Sequence, residues 1–490
     1  MGVLQVVGLV FTMARAKVFA LLLGPAGFGV VATIDQLVVS AQHFSNLSLP
    51  FTALKYLSRS HSVSEEEFRK SYAAFLKAIT ILAVVATAVL VPTLPALLAS
   101  LDPQLVKYRG PVSIALLGIP SIMLLVFFVH VLAAQGRTLQ SALLALLSSV
   151  VVLASGWVGC VLGGIQGIYL ATVPASTALI AAMAVFASVK MRLPWNCKPM
   201  QQSKGLRANA EIVDTAVSTY IAVGSYSALL LLARYVSITH LSEEAAGLLQ
   251  ASLAVALSLG GILLPSNTLY LAPYLNRSIP GTEKIAAANR FLPRLLFLYC
   301  LGALPVLLFP EFVLRLLFSG RFTPAAAMLP WFVVWQCLYQ VSHVYQQLLI
   351  GLDDARGYCV GTAFGHLFGA ALCFWLIGPF GLAGVGAAFI AGTFCVGCVT
   401  VLRLHWKHRL ALPKSGPTSI VLAALGLAGT AALARMTVEM TLPGACVRVG
   451  LASAFLTALW FALPRDLSSQ IGLSVTAKVR ALTRRTLPLS

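Results

Sequence analysis

Ten polar side chains of this 490-residue chain stand inside otherwise apolar runs: Arg15, Asp35, Gln36, His43, Asn46, Lys55, Gln336, Gln340, His343 and Gln347. An ionisable group in such a run faces a water-filled cavity or a partner, which makes each a candidate binding residue. Their chemistry divides in two. A guanidinium is a planar fork suited to a phosphate or carboxylate, whereas amides and imidazoles offer both donors and acceptors. Gln336, Gln340, His343 and Gln347 recur at spacings of four, three and four beside Trp335, Tyr339 and Tyr345. That stripe suits a neutral, polyhydroxylated ligand whose apolar ring faces rest on aromatic faces. It also suits hydrogen bonding between helices. Asp35 has three readings: an acid that couples an ion, a partner for Arg15, or a residue near the outer mouth.

The elements that must hold these groups are membrane helices. Hydrophobic residues make up 59% of the chain and charged residues 10%, with a mean hydropathy of +0.90. No soluble core is covered by so little polar surface. Apolar runs place spans near 2–23, 27–54, 73–98, 112–134, 140–162, 166–189, 214–236, 246–272, 291–317, 326–350, 359–377, 381–402, 418–436 and 445–463, about fourteen helices in an all-α protein. Arg15 shares a helix face with Gln5, Gly8 and Thr12, while Lys17 points the other way and can snorkel to the outer interface. Gly24-Pro25-Ala26-Gly27 then turns the chain, and Lys55 falls near the inner end of the second span. Glu311 and Arg315 stand four apart, at ion-pair spacing, and Gly357, Gly361, Gly365 and Gly369 form a stripe for close helix approach.

The formal charge of +19 arises from 34 Lys and Arg against 15 Asp and Glu. Most of the basic residues collect in alternate loops. The opposite side receives only Lys107, Arg109, Arg234, Arg315, Arg321, Arg435 and Arg448. This bias places both termini in the cytoplasm, and a basic rim against anionic membrane lipids accounts for the surplus without a nucleic-acid partner. The nine cysteines read as small buried hydrophobes, and neither a metal nor a cofactor is expected. H-E-x-x-H, G-x-S-x-G and P-loop motifs are missing, as is a long external loop, which disfavours a glycan polymerase or transferase.

Two echoes suggest a duplication. Leu49-Pro50 resembles Leu264-Pro265, and Gly136-Arg137 resembles Gly351…Arg356, both displaced by 215 residues. The organisation they imply is a six-helix lobe over 1–189, a cytoplasmic linker over 190–213, a second six-helix lobe over 214–405, a helical hairpin over 406–463 and a basic cytoplasmic tail over 464–490.

The strings LLLGPAGFGVV, LLFSGRFTPAAAMLPW and GLDDARGY resemble the oligosaccharide (O-antigen type) flippases of the multidrug/oligosaccharidyl-lipid/polysaccharide exporter superfamily, over about the first 405 residues. The resemblance implies two lobes around a central cationic cavity and alternating access. It implies transfer of an undecaprenyl-diphosphate-linked oligosaccharide to the outer leaflet of a bacterial inner membrane, for cell-surface polysaccharide such as the lipopolysaccharide O-antigen. The diphosphate-holding role would pass to Arg15, with Lys55 beside it. Partners implied are the glycosyltransferases and polymerase of the same route, with a coupled H+ or Na+ permitted but not required. An ion-coupled drug exporter and a lipid II flippase are the alternatives within the superfamily. The chain departs from the pattern in starting almost inside its first helix, where relatives have a short cytoplasmic lead, and in its final hairpin.

Overall fold

A computed structural model describes residues 2–101, 103–193, 210–267, 271–275 and 279–410, with scattered positions between 423 and 457. Most of the linker over 190–213, most of the predicted hairpin and all of the tail over 464–490 lie outside the described residues. Among those described, regular structure is helical throughout.

The first bundle comprises α1 (Gly2–Asn46), α2 (Leu49–Val63), α3 (Glu65–Leu101), α4 (Arg109–Leu116), α5 (Ile119–Ala134) and α6 (Thr138–Val189). The second comprises α7 (Ala210–His240), α8 (Glu243–Ser266), α9 (Ala272–Leu275), α10 (Gly281–Leu308), α11 (Pro310–Leu317), α12 (Leu329–Gly351) and α13 (Ala355–Trp406). Eight helical stretches are long and apolar enough to cross a bilayer. Three of them, α1, α6 and α13, are pairs of helices joined at a kink, and α12 adds a crossing whose polar stripe lowers its hydropathy. The described residues therefore make twelve crossings, consistent with about fourteen once the hairpin is added. Large apolar side chains such as Leu162, Trp375 and Phe394 are exposed on the outside, as a lipid-facing surface requires.

Two long kinked helices repeat in the backbone at a displacement of 217 residues, two more than the 215 of the sequence echoes. α6 and α13 each contain 52 residues, and their first residues (138 and 355), last residues (189 and 406) and kink glycines (164 and 381) are all displaced by 217. Gly164 turns at φ 55°, ψ −139°, and Gly381 at φ 56°, ψ −140°. Both sit in a region that a side chain would strain. On the same offset the Gly24 turn, with φ 67°, corresponds to the break between α7 and α8.

Several boundaries differ from those expected. The second span does not run unbroken from 27 to 54. Leu47 and Ser48 take positive φ, Asn46 Oδ1 accepts from the Ser48 amide at 2.8 Å, and Pro50 starts a separate α2. The ninth span ends at Leu308, and Pro310 opens the short α11, so Glu311 and Arg315 lie on an exposed helix, paired at 3.8 Å. The glycine stripe behaves as its spacing predicts. Gly365 and Gly369 of α13 approach the backbone around Gly392 in that helix's second half.

The first bundle is filled around Leu57, Ile119, Met123 and Phe127, the second around Leu229, Phe332, Trp335, Val385 and Phe389. Helix α1 joins them, packing on α6 of its own bundle and on α7 and α8 of the other.

Candidate functional site

Where α1 meets α7 and α8, a cavity of about 280 Å³ opens, with Thr12, Arg15, Asp35, Gln36, Arg234, Gln250 and Ser258 as its polar lining. The Gly24 turn folds the two arms of α1 against each other, and this brings Arg15 to Asp35. Arg15 Nη2 donates to Asp35 Oδ2 at 2.7 Å, the Tyr169 hydroxyl lies 3.1 Å from Asp35 Oδ1, and the guanidinium lies over the Phe19 ring. Of the three readings of Asp35, the structure places it as the partner of Arg15. The Arg15 side chain remains 26% exposed, and its buried Nε makes no hydrogen bond within the protein.

Opposite this pair stands Arg234 of α7, 4% exposed. It is not the outer-loop residue that the charge pattern suggests, because it lies nearly two turns before the end of α7 and faces inward. Its Nη2 and Nε bond Gln250 Oε1 at 2.6 and 3.2 Å, and its Nη1 bonds the Leu230 carbonyl at 2.9 Å. All of these acceptors are neutral. The cavity thus holds two guanidiniums and one carboxylate, leaving one positive charge unmatched among the described residues. Removing a charge from water costs several kcal/mol unless it is paired. Amide and carbonyl dipoles offset part of that cost, and an anionic ligand would offset the rest.

The other predicted residues lie elsewhere. Gln36 lines the cavity and donates to Ser40 at 3.3 Å. His43 Nδ1 lies 2.6 Å from Ser227 Oγ, tying α1 to α7. Asn46 caps the break before α2. Lys55 belongs to α2, and its side chain is outside the described residues. Gln336 and Gln340 are 3% and 1% exposed and press on Gly260 of α8; a Cβ there would meet the Gln340 amide nitrogen at 2.8 Å. Gln340 donates to the Gly260 carbonyl at 3.3 Å. His343 stacks on Tyr339 and lies 3.5 Å from the Gln347 amide, and Trp335 donates to Thr393. Gln336 and Gln340 therefore occupy the α8–α12 seam, His343 and Gln347 are half-buried further along α12, and the cavity lining contains none of the four.

The end of the bundle carrying the Gly24 turn is closed. Lys107 and Tyr108 of the first bundle both bond Glu243 of α8 at 2.7 Å, and Lys17 donates to the Leu316 carbonyl at the end of α11 at 2.8 Å. Phe28 packs against Phe318 and Phe322, and Gly247 lets α8 touch the backbone at Pro25.

No family model matches the chain. It is 24% identical over 405 residues to the "Lipid III flippase" of Escherichia coli (strain K12), covering 80% of this chain and 94% of that protein. The protein of the same name from Shigella flexneri matches equally. Among solved structures, "Lipid II flippase MurJ, inward closed conformation" superposes with a TM-score of 0.70 at 13% identity, over 95% of this chain and 97% of that one. An inward-facing multidrug resistance MATE family transporter of the MOP superfamily superposes with a TM-score of 0.65 at 14% identity, over 86% of this chain and 99% of that one. The fold is that of multi-pass membrane transporters, with a cavity between its two bundles. The chain thus shares the fold of these transporters and is similar in sequence to a lipid III flippase over most of its length.

Proposed function

We propose that the protein moves an undecaprenyl-diphosphate-linked oligosaccharide from the cytoplasmic to the outer leaflet of a bacterial inner membrane by alternating access, supplying cell-surface polysaccharide synthesis of the O-antigen kind. The observation that carries this reading is the surplus positive charge in the cavity, where Arg234 is held by neutral groups alone. A diphosphate is doubly charged and accepts paired donors from a guanidinium, so it would complete what Gln250 begins. The polyprenyl tail needs no site in the cavity, because lipid solvates it. With a negative interior, moving two negative charges outward is favoured by roughly 4–5 kcal/mol per 100 mV, so a coupled H+ or Na+ is not required.

The drug-exporter alternative calls for a net acidic cavity, and Asp35 is already matched by Arg15. Both termini are assigned to the cytoplasm on the basic bias of alternate loops. Reporters fused after Ser203 and at the C-terminus should read inside, and one at Pro103 outside. The function is tested by reconstituting the purified protein with a fluorescent polyprenyl-diphosphate oligosaccharide and measuring its exposure to a membrane-impermeant reagent. Exposure that depends on the protein, with no covalent change in the glycolipid, is expected. Transport of hydrophobic cations without the glycolipid would assign the drug-exporter reading instead.

A further inference from the structure

A second charged site lies away from the cavity, where α12 hands over to α13. Asp354 is buried, its side chain 1% exposed, yet its carboxylate accepts five contacts: Arg403 Nε at 2.9 Å and Nη2 at 3.2 Å, Lys407 Nζ at 2.8 Å, His408 Nε2 at 3.0 Å and the Gly357 amide at 3.2 Å. Burial alone would raise its pKa, but these donors hold the carboxyl well below the usual carboxylate range, and it stays ionised.

One carboxylate needs one cation, and here the numbers are unequal. Two cations, Arg403 and Lys407, share the single carboxylate of Asp354, a surplus of one positive charge before His408 beside them is considered. The acceptor sites of Asp354 are filled, whereas Arg403 has five N–H donors and Lys407 three. Only two of the first and one of the second are spent on Asp354. Both side chains remain substantially open, 40% and 49% exposed. Trp406 between them is 73% exposed, at the end of the span that closes at that residue. An exposed indole flanked by cations at a helix end marks headgroup depth.

We propose that Arg403 and Lys407, held in position by Asp354, bind the phosphate of an anionic phospholipid headgroup, with Trp406 at the acyl boundary. Asp354 keeps the two cations apart and oriented, and the lipid phosphate takes the donors that Asp354 leaves. The basic bias of the loops at this end assigns the lipid to the cytoplasmic leaflet. The site is independent of what the cavity transports.

The test is the unfolding temperature of the purified full chain in neutral detergent, titrated separately with phosphatidylglycerol, phosphatidylcholine and inorganic phosphate. Phosphatidylglycerol should raise it, and the other two should not. Arg403→Gln with Lys407→Gln would leave Asp354 buried without its two strongest partners, so the deciding variant adds Asp354→Asn to remove all three charges together. That triple variant should need about 10- to 30-fold more phosphatidylglycerol for half the effect. A phosphatidylglycerol response that is absent in the wild type, or unchanged in the triple variant, overturns the proposal. An equal response to inorganic phosphate would overturn the lipid assignment.

Discussion

The two repeats begin with matching hairpins that treat a buried arginine differently. In the first, Arg15 on one arm of α1 meets Asp35 on the other at 2.7 Å. In the second, Arg234 on α7 meets Gln250 on α8 at 2.6 Å. Both place a guanidinium on the outgoing helix and its acceptor on the returning one, and both face one cavity. The acceptor is charged in one hairpin and neutral in the other. A carboxylate cancels the field of its partner, while an amide satisfies the hydrogen bonds and leaves the charge in place. The asymmetry makes the second hairpin the source of the cavity's positive potential and the first the more self-contained element.

The comparison breaks most sharply through the arginines themselves. Arg234→Ala should abolish glycolipid export at normal protein level, since it removes the uncompensated charge; a charge-assisted hydrogen bond contributes about 1.5–3 kcal/mol, or roughly 10- to 100-fold in binding. Arg15→Ala should also abolish export, but for a second reason: it strands Asp35 and turns the cavity's charge balance toward neutrality. The double variant Arg15→Ala with Asp35→Asn should therefore recover part of the activity, and Arg15→Lys should retain part of it. Export unchanged in Arg15→Ala would leave Arg15 as a structural partner of Asp35. Lys17→Ala should be far milder, because Lys17 bonds a helix-end carbonyl outside the cavity.

A smaller effect separates the cavity from the α8–α12 seam. In a cysteine-free background, single cysteines at Gln36, Ser258 and Gln250 should react with a small water-soluble thiol reagent, and cysteines at Gln336 and Gln340 should be protected. Equal reactivity at all five would place the amide stripe on the aqueous path and widen the site. The smallest change is expected at the closed end. Glu243→Gln removes a partly exposed ion pair of about 0.2–1 kcal/mol, and should shift the balance toward opening there without affecting affinity in the cavity.

Much of this was legible in the sequence because membrane helices announce themselves by length, and turns by glycine and proline. The Gly24-Pro25 turn, Arg15 on the polar face of its helix and the packing role of the α13 glycines follow from local rules. The partner of Arg15 did not follow, because three roles for Asp35 satisfy the same pattern and only the closing of α1 on itself selects one. Arg234 was harder still. A single arginine in the last turns of an apolar run looks like a loop residue, and the neutral Gln250 carries no signal that it is a ligand. Aligning the repeats on the 217-residue displacement, with Lys17 opposite Arg234, would have drawn attention to it. The α12 stripe shows the reverse problem: the spacing that lines a wet wall also lines a packed seam, and the choice between them rests on Gly260 of another helix.

The central claim, that Arg234 is kept charged and uncompensated for an anionic ligand, is tested most directly by Gln250→Glu. The change is nearly isosteric and makes the second hairpin a copy of the first, with a carboxylate against the guanidinium. Equilibrium binding of a short-chain polyprenyl diphosphate to the purified protein should weaken at least about tenfold, one step of about 1.4 kcal/mol, while the unfolding temperature is kept or raised by the new ion pair. Undiminished binding in a folded Gln250→Glu protein would contradict the account.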